Sequence, residues 1–91
     1  MSYKNNNTIF SNPCSVVKAQ YATVGIYDGG AGIISWHTNE FDAHKTRKAI
    51  NSSGKGRVDV RRTPNGKMEH IKDEIMTLIL EFQKEFACFI I

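Results

Sequence analysis

Apolar positions recur along this chain with two different periods. Ala22, Val24 and Ile26 alternate with Tyr21, Thr23 and Tyr27, the period-2 pattern of a strand with one buried face. Asp28-Gly29-Gly30-Ala31-Gly32 interrupts the pattern and the apolar run Ile33-Ile34-Ser35-Trp36 follows. Two strands joined by a short glycine-rich link predict an antiparallel hairpin. Thr38 and Asn39 are both good helix N-caps, and Asp42 suits the first turn of a helix that should run from about Glu40 to Ile50. Its apolar face is thin, chiefly Phe41, Ala43, Ala49 and Ile50, which places that helix on the surface. Residues 51–56 read as a flexible loop, and Arg57 to Arg62 alternates charged residues with Val58 and Val60 as a half-exposed strand would.

Pro64-Asn65-Gly66 is a strong turn signal. Lys67 to Ile71 then reads as a return strand, or as the start of the last helix, with the strand slightly favoured. That last helix carries the clearest period in the chain. Ile71, Ile75, Leu78, Ile79, Phe82 and Phe86 share one face, while Lys72, Asp73, Thr77, Glu81 and Lys84 point away. Asp73 and Glu74 near its start and Lys84 near its end complement the helix dipole. Burying five or six such side chains at about 1.5–3 kcal/mol each makes this helix the centre of the core. The expected fold is a small α+β domain over residues 14–91, in the order β-β-α-β-(β)-α. It has an antiparallel sheet of three to four strands with two helices packed on one face. Residues 1–13, rich in Asn and Ser and ending at Pro13, read as a polar tail.

Ninety-one residues leave room for one domain. A composition 41 % apolar and 23 % charged excludes a disordered chain, a collagen-like repeat and a disulfide-dense scaffold. No apolar run approaches the roughly 20 residues of a membrane span, so no membrane partner is expected. The segment from Met1 to Asn7 lacks the apolar core of a signal peptide. Cys14 and Cys88 then read as two reduced thiols in a cytoplasmic protein rather than as a long-range disulfide.

Charge is distributed unevenly. Between His44 and Lys67 stand Lys45, Arg47, Lys48, Lys55, Arg57, Arg61, Arg62 and Lys67 against the single acid Asp59, a net +7, while the remaining residues carry −4. Such a field points to a polyanionic partner. The leading expectation is a non-enzymatic nucleic-acid-binding protein, DNA or RNA, that uses these eight side chains on phosphates. The rival is a small inhibitor or adaptor, of the kind phages use to block host machinery, that sets the same surface against an acidic site on another protein. A plain solvated basic face is the third possibility. No aromatic residue lies between His44 and Lys67, which argues against a base-stacking platform, and Trp36 reads as core.

Other constellations are weaker. Asp28 to Gly32 is followed by a strand instead of a helix, so it reads as a hairpin link and not a phosphate loop. His37, His44 and His70 lack metal-ligand spacing, and neither a metal nor a cofactor is expected. A metal-independent ribonuclease using His37 or His44 as general base is chemically conceivable but has no motif behind it. The apolar end, Phe86, Ala87, Cys88, Phe89, Ile90 and Ile91, should either close the core, as a short edge strand for instance, or form a homodimer seam through Phe86, Phe89, Ile90 and Ile91.

Overall fold

Two residues set the hairpin. Asp28 and Gly29 take positive φ values of 50° and 88°, the pair of conformations of a type I′ turn, whose twist suits the strands it joins. They connect β1 (Tyr21–Tyr27) to β2 (Gly30–His37) in antiparallel register. Gly30, Ala31 and Gly32, expected in the link, therefore open β2. A shift of register between Thr23 and Val24 pairs them with Ser35 and Ile33, leaving Ile34 without a direct partner. This computed structural model describes residues 9–67 and 71–90, with side chains through Lys84.

Helix α1 (Glu40–Ser53) starts where Asn39 Oδ1 accepts the Asp42 amide at 2.9 Å and ends at Gly54, whose φ of 77° closes the last turn. It outruns its expected end at Ile50 because the next residues find partners. The Ser53 hydroxyl donates to the Ile50 carbonyl at 2.7 Å, and Asn51 reaches the following strand. That strand, β3 (Gly56–Arg62), pairs antiparallel with the other side of β1, giving the sheet order β2-β1-β3. The last helix, α2 (Lys72–Ile90), follows a 3-10 turn over Pro64–Gly66.

The central strand is buried on both faces. Ala22 and Val24 have no exposure on one side, and Thr23 has none on the other. Helix α2 covers the first face: Ile75 and the preceding Ile71 pack on Ala22 and Val24, with Ile33, Trp36, Leu78 and Ile79 around them. Helix α1 covers the second, where Ala43, Thr46 and Ile50 are fully buried along with Thr23 and His37. The helices thus lie on opposite faces, not on one as expected. The second buried face escaped the alternation because it is lined by Thr23, Ser35 and His37, polar residues linked by side-chain hydrogen bonds.

The fold is α+β, a three-stranded antiparallel sheet with two helices among the described residues. Lys67 is extended without pairing, Asn65-Gly66 forms a 3-10 turn and not a hairpin, and residues 68–70 of the expected return strand lie outside the described residues. Helix α2 continues to Ile90, so the apolar end is helical and not an edge strand. The side chains of Phe86, Phe89 and Ile90 and the whole of Ile91, which carry the expected homodimer seam, lie outside the described residues. Phe41, expected on the inner face of α1, is 71 % exposed, because the buried stripe runs through Asp42, Ala43, Thr46 and Ile50.

The fold also begins upstream of Cys14. Phe10 meets Tyr27 edge-on at 5.7 Å between centroids, and the Ser11 amide donates to Thr46 Oγ1 at 2.8 Å. Ser11 Oγ and Asn12 Nδ2 each donate to Asp42 Oδ1 at 3.3 Å. Pro13 bridges to His37, and the Cys14 amide donates to the Trp36 carbonyl at 2.8 Å. This strap covers one end of β2 and the start of α1.

Gly56 is a joint of the sheet with no room for a side chain. A Cβ there would strike the Ile26 carbonyl and lie 2.8 Å from Tyr27 Cα and 3.1 Å from Ile50 Cγ2. Gly56→Ala is expected to destabilise by about 1–3 kcal/mol, the range for overpacking. A urea unfolding curve should show a lowered midpoint with unchanged slope, and an unchanged midpoint would refute the close approach of β1, β3 and α1.

Candidate functional site

The eight cations predicted as a site separate into groups. Lys45 and Lys48 are exposed on the outer side of α1, and Lys55 is exposed in the turn between Gly54 and Gly56. Arg47 is half-buried on the flank of α1, where its Nε donates to His44 Nδ1 at 3.1 Å. Arg57, on β3, holds its guanidinium over the Phe82 ring at 5.8 Å from the centroid. Arg61 is engaged within the fold: Nη1 donates to Asp59 Oδ2 at 2.8 Å and to the Val60 carbonyl at 2.9 Å, and Nε lies 3.5 Å from Glu74 Oε1. Arg62 is exposed at the far end of β3 from Lys55, about 20 Å along the strand, and Lys67 is exposed after the Pro64–Gly66 turn.

Arg47 and Arg57 line one cleft of about 520 Å³. Because α1 and α2 flank opposite faces of the sheet, the outer edge of β3 forms its floor. Asn51 belongs to its α1 wall, Val58 and Asp59 to its floor, and Leu78, Glu81 and Phe82 to its α2 wall. The edge itself is occupied. Asn51 donates from Nδ2 to the Val58 carbonyl at 3.1 Å and accepts the Val58 amide at 2.9 Å. Asp59 Oδ1 accepts the Val60 amide at 2.8 Å, and Arg61 takes the Val60 carbonyl. An incoming strand therefore finds the peptide groups of Val58 and Val60 already bonded, a device that protects edge strands from pairing.

The cleft is also charge-balanced. Burial pushes the Asp59 carboxyl upward, but the Arg61 hydrogen bond, the Val60 amide and the charges of Arg61 and Arg47 together hold it below the ordinary carboxylate value. Farther along α2, Asp73, Glu74 and Glu81 border a second hollow beside Arg61. Of the basic stretch, this leaves Lys45, Lys48 and Lys55 as an exposed set on α1 and its exit turn. Lys45 Nζ sits 5.4 Å from the centroid of the exposed Phe41 ring. Sequence reasoning passed over Phe41 by counting it with the apolar face, although its spacing to Lys45 and Lys48, four and seven residues on, already places the three on one side of a helix.

The histidines take different roles. Thr23 Oγ1 and Ser35 Oγ lie 2.8 Å apart, and Ser35 Oγ lies 2.7 Å from His37 Nε2, a buried hydrogen-bonded chain. His37 has no exposure, so it cannot meet an RNA substrate as a general base. Burial pushes its pKa below the ordinary histidine value, opposed by the neighbouring backbone of Asn12 and Ser11 and by the Asp42 carboxylate. Asp42 is held below the ordinary carboxylate value first by the Asn39 side chain, then by Asn12 and Ser11, against its own desolvation. His44 is half-exposed, with Nε2 3.6 Å from Glu40 Oε2. His70 lies outside the described residues. Among the described residues no three His, Cys, Asp or Glu side chains gather as a metal set would, and no helix is long and apolar enough to cross a membrane.

No protein-family model, curated protein or solved structure matches this chain.

The buried histidine gives a pH prediction. Unfolded His37 takes its proton near 6.5 while folded His37 resists it, so the unfolded state binds more protons and stability falls as pH drops through that value. Asp42 and Asp59 are depressed below 3.8, so what they add is present above that value and is lost in stronger acid. Melting followed by circular dichroism should show Tm falling between about pH 7 and 5 in the native chain, a fall that His37→Gln flattens while the loss below about pH 4 persists. A native Tm constant over the upper range would contradict a neutral, buried His37.

Proposed function

We propose that this protein is a non-enzymatic nucleic-acid-binding protein that holds phosphates on the outer side of α1 and its exit turn. Lys45, Lys48 and Lys55 form the contact, with Arg47 and Arg57 at its border and Arg62 and Lys67 as outlying cations. Arg61 contributes to the fold through Asp59 and Glu74. The observation that carries the reading is the exposure of all three lysines within a run that holds no acidic residue between Asp42 and Asp59. Each lysine that neutralises a phosphate releases condensed counterions, so the affinity is electrostatic and largely independent of sequence. The reading takes the cytoplasm as the compartment, with a homodimer through Phe86, Phe89, Ile90 and Ile91 as the alternative to closure of the core by those residues.

The second reading, an inhibitor or adaptor seated on an acidic site of another protein, draws on the cleft at the β3 edge. There Arg47 and Arg57 stand beside Asp59, Glu81 and the half-buried Leu78, a mixture of charge and apolar surface that suits a protein better than a phosphate chain.

The readings separate by titration of unrelated oligonucleotides. With three to five phosphates neutralised, affinity should fall about 20- to 500-fold between 50 and 200 mM salt. The triple variant Lys45→Gln, Lys48→Gln, Lys55→Gln should weaken binding and flatten that dependence by the same measurement. Absence of any bound DNA or RNA at low salt would sink the nucleic-acid reading and leave the protein-partner one.

A further inference from the structure

Phe41 is 71 % exposed, more than Val17 at 69 %, Leu80 at 57 %, Met76 at 55 % or Val16 at 44 %, the other large apolar side chains exposed among the described residues. Its position is the first turn of α1, one residue before the inward Asp42 and Ala43, and the ring stands out from the helix with Lys45 Nζ over it at 5.4 Å. Lys48 lies on the same side, about 10 Å farther along the axis at 1.5 Å per residue. Lys55 follows in the exit turn. An exposed aromatic ring with one ammonium over it, on a helix that carries a second lysine and exits at a third, matches the two chemistries of an unpaired nucleotide chain. Its bases have faces that stack on rings, and its backbone carries one negative charge per residue.

We propose that Phe41 is a base-stacking platform, and that the ligand of the α1 surface is single-stranded nucleic acid. The inference rests on the nucleic-acid reading above and narrows it. A duplex keeps its base faces inside the stack, so it meets the lysines but gains nothing from the ring. An unpaired strand gains both, with one base on Phe41 and its phosphates running along Lys45 and Lys48 toward Lys55. Glu40 is the acid nearest this end of the line, and its carboxylate is turned to His44 at 3.6 Å. Asp42 is buried, taken by Asn39, Ser11 and Asn12.

The test uses the full chain with fluorescent oligonucleotides of one length: single-stranded DNA, single-stranded RNA, a duplex, and an abasic strand that keeps the phosphates without bases. Both single strands should bind more tightly than the duplex or the abasic strand, and the two single-strand arms decide between DNA and RNA as the preferred source of the same chemistry. Phe41→Ala should weaken single-strand binding at least about fivefold while leaving the salt dependence unchanged, and Phe41→Tyr should retain it. The exposed position lets both variants fold, which an unchanged melting curve verifies. Wild-type affinity in Phe41→Ala, or equal binding of the abasic strand, overturns the platform while leaving phosphate binding intact. No binding of any oligonucleotide at about 50 mM salt overturns both proposals together and favours a protein partner for the same ring.

Discussion

The structure depends on the burial of β1 from both sides. Ala22 and Val24 need an apolar cover, which Ile71 and Ile75 supply. Thr23 faces the other way and is equally buried, and there the cost of burying polar atoms is partly offset by a chain of hydroxyl and imidazole contacts through Ser35 to His37. A strand sealed on both sides forces its two helices apart, one to each face. The edge of β3 is then left open between them, and the cleft that Arg47 and Arg57 line forms along that edge.

Open edges must be closed by something, and this chain closes them with side chains and a strap. One end of β2 lies under Pro13 and Cys14. The edge of β3 is answered by Asn51, Asp59 and Arg61, whose polar atoms occupy the peptide groups of Val58 and Val60. Protection of this kind draws on the same charged residues that make the middle of the sequence look like a binding surface. Arg61 is committed to Asp59 and Glu74, and Arg47 contributes to the field that keeps Asp59 ionised. Architecture claims part of the positive charge, and Lys45, Lys48 and Lys55 are among the cations left facing solvent.

The exposed ring of Phe41 belongs to this division as well. The inward stripe of α1 is filled by Asp42, Ala43, Thr46 and Ile50, with the strap drawn down over Asp42 and Thr46. The phenylalanine one position away is left 71 % exposed, with the Lys45 ammonium over its ring. An aromatic side chain in that setting adds no core, which is why its chemistry belongs with the surface.

Several features were legible in the residues themselves. A hairpin turn after Tyr27, the start of α1 at Asn39 and, from the spacing of Ile71 through Phe82, the inner face of α2 were read there, because each rests on local backbone chemistry or on a period of apolar residues. The lysine positions were equally plain, since exposure is the ordinary state of a lysine. Other features depend on which segments meet. Thr23, Ser35 and His37 carry no apolar signature, so the second buried face, and with it the separation of the two helices, follows only from their mutual hydrogen bonds. The engagement of Arg61 and the clamp of Asn51 on Val58 join residues whose partners are set by strand register and helix docking, and no spacing along the chain encodes those distances. Local conformational preference was written in the sequence; the assignment of each polar group to the interior, the edge or the solvent was decided by tertiary packing, because a hydrogen-bond partner is a position in space.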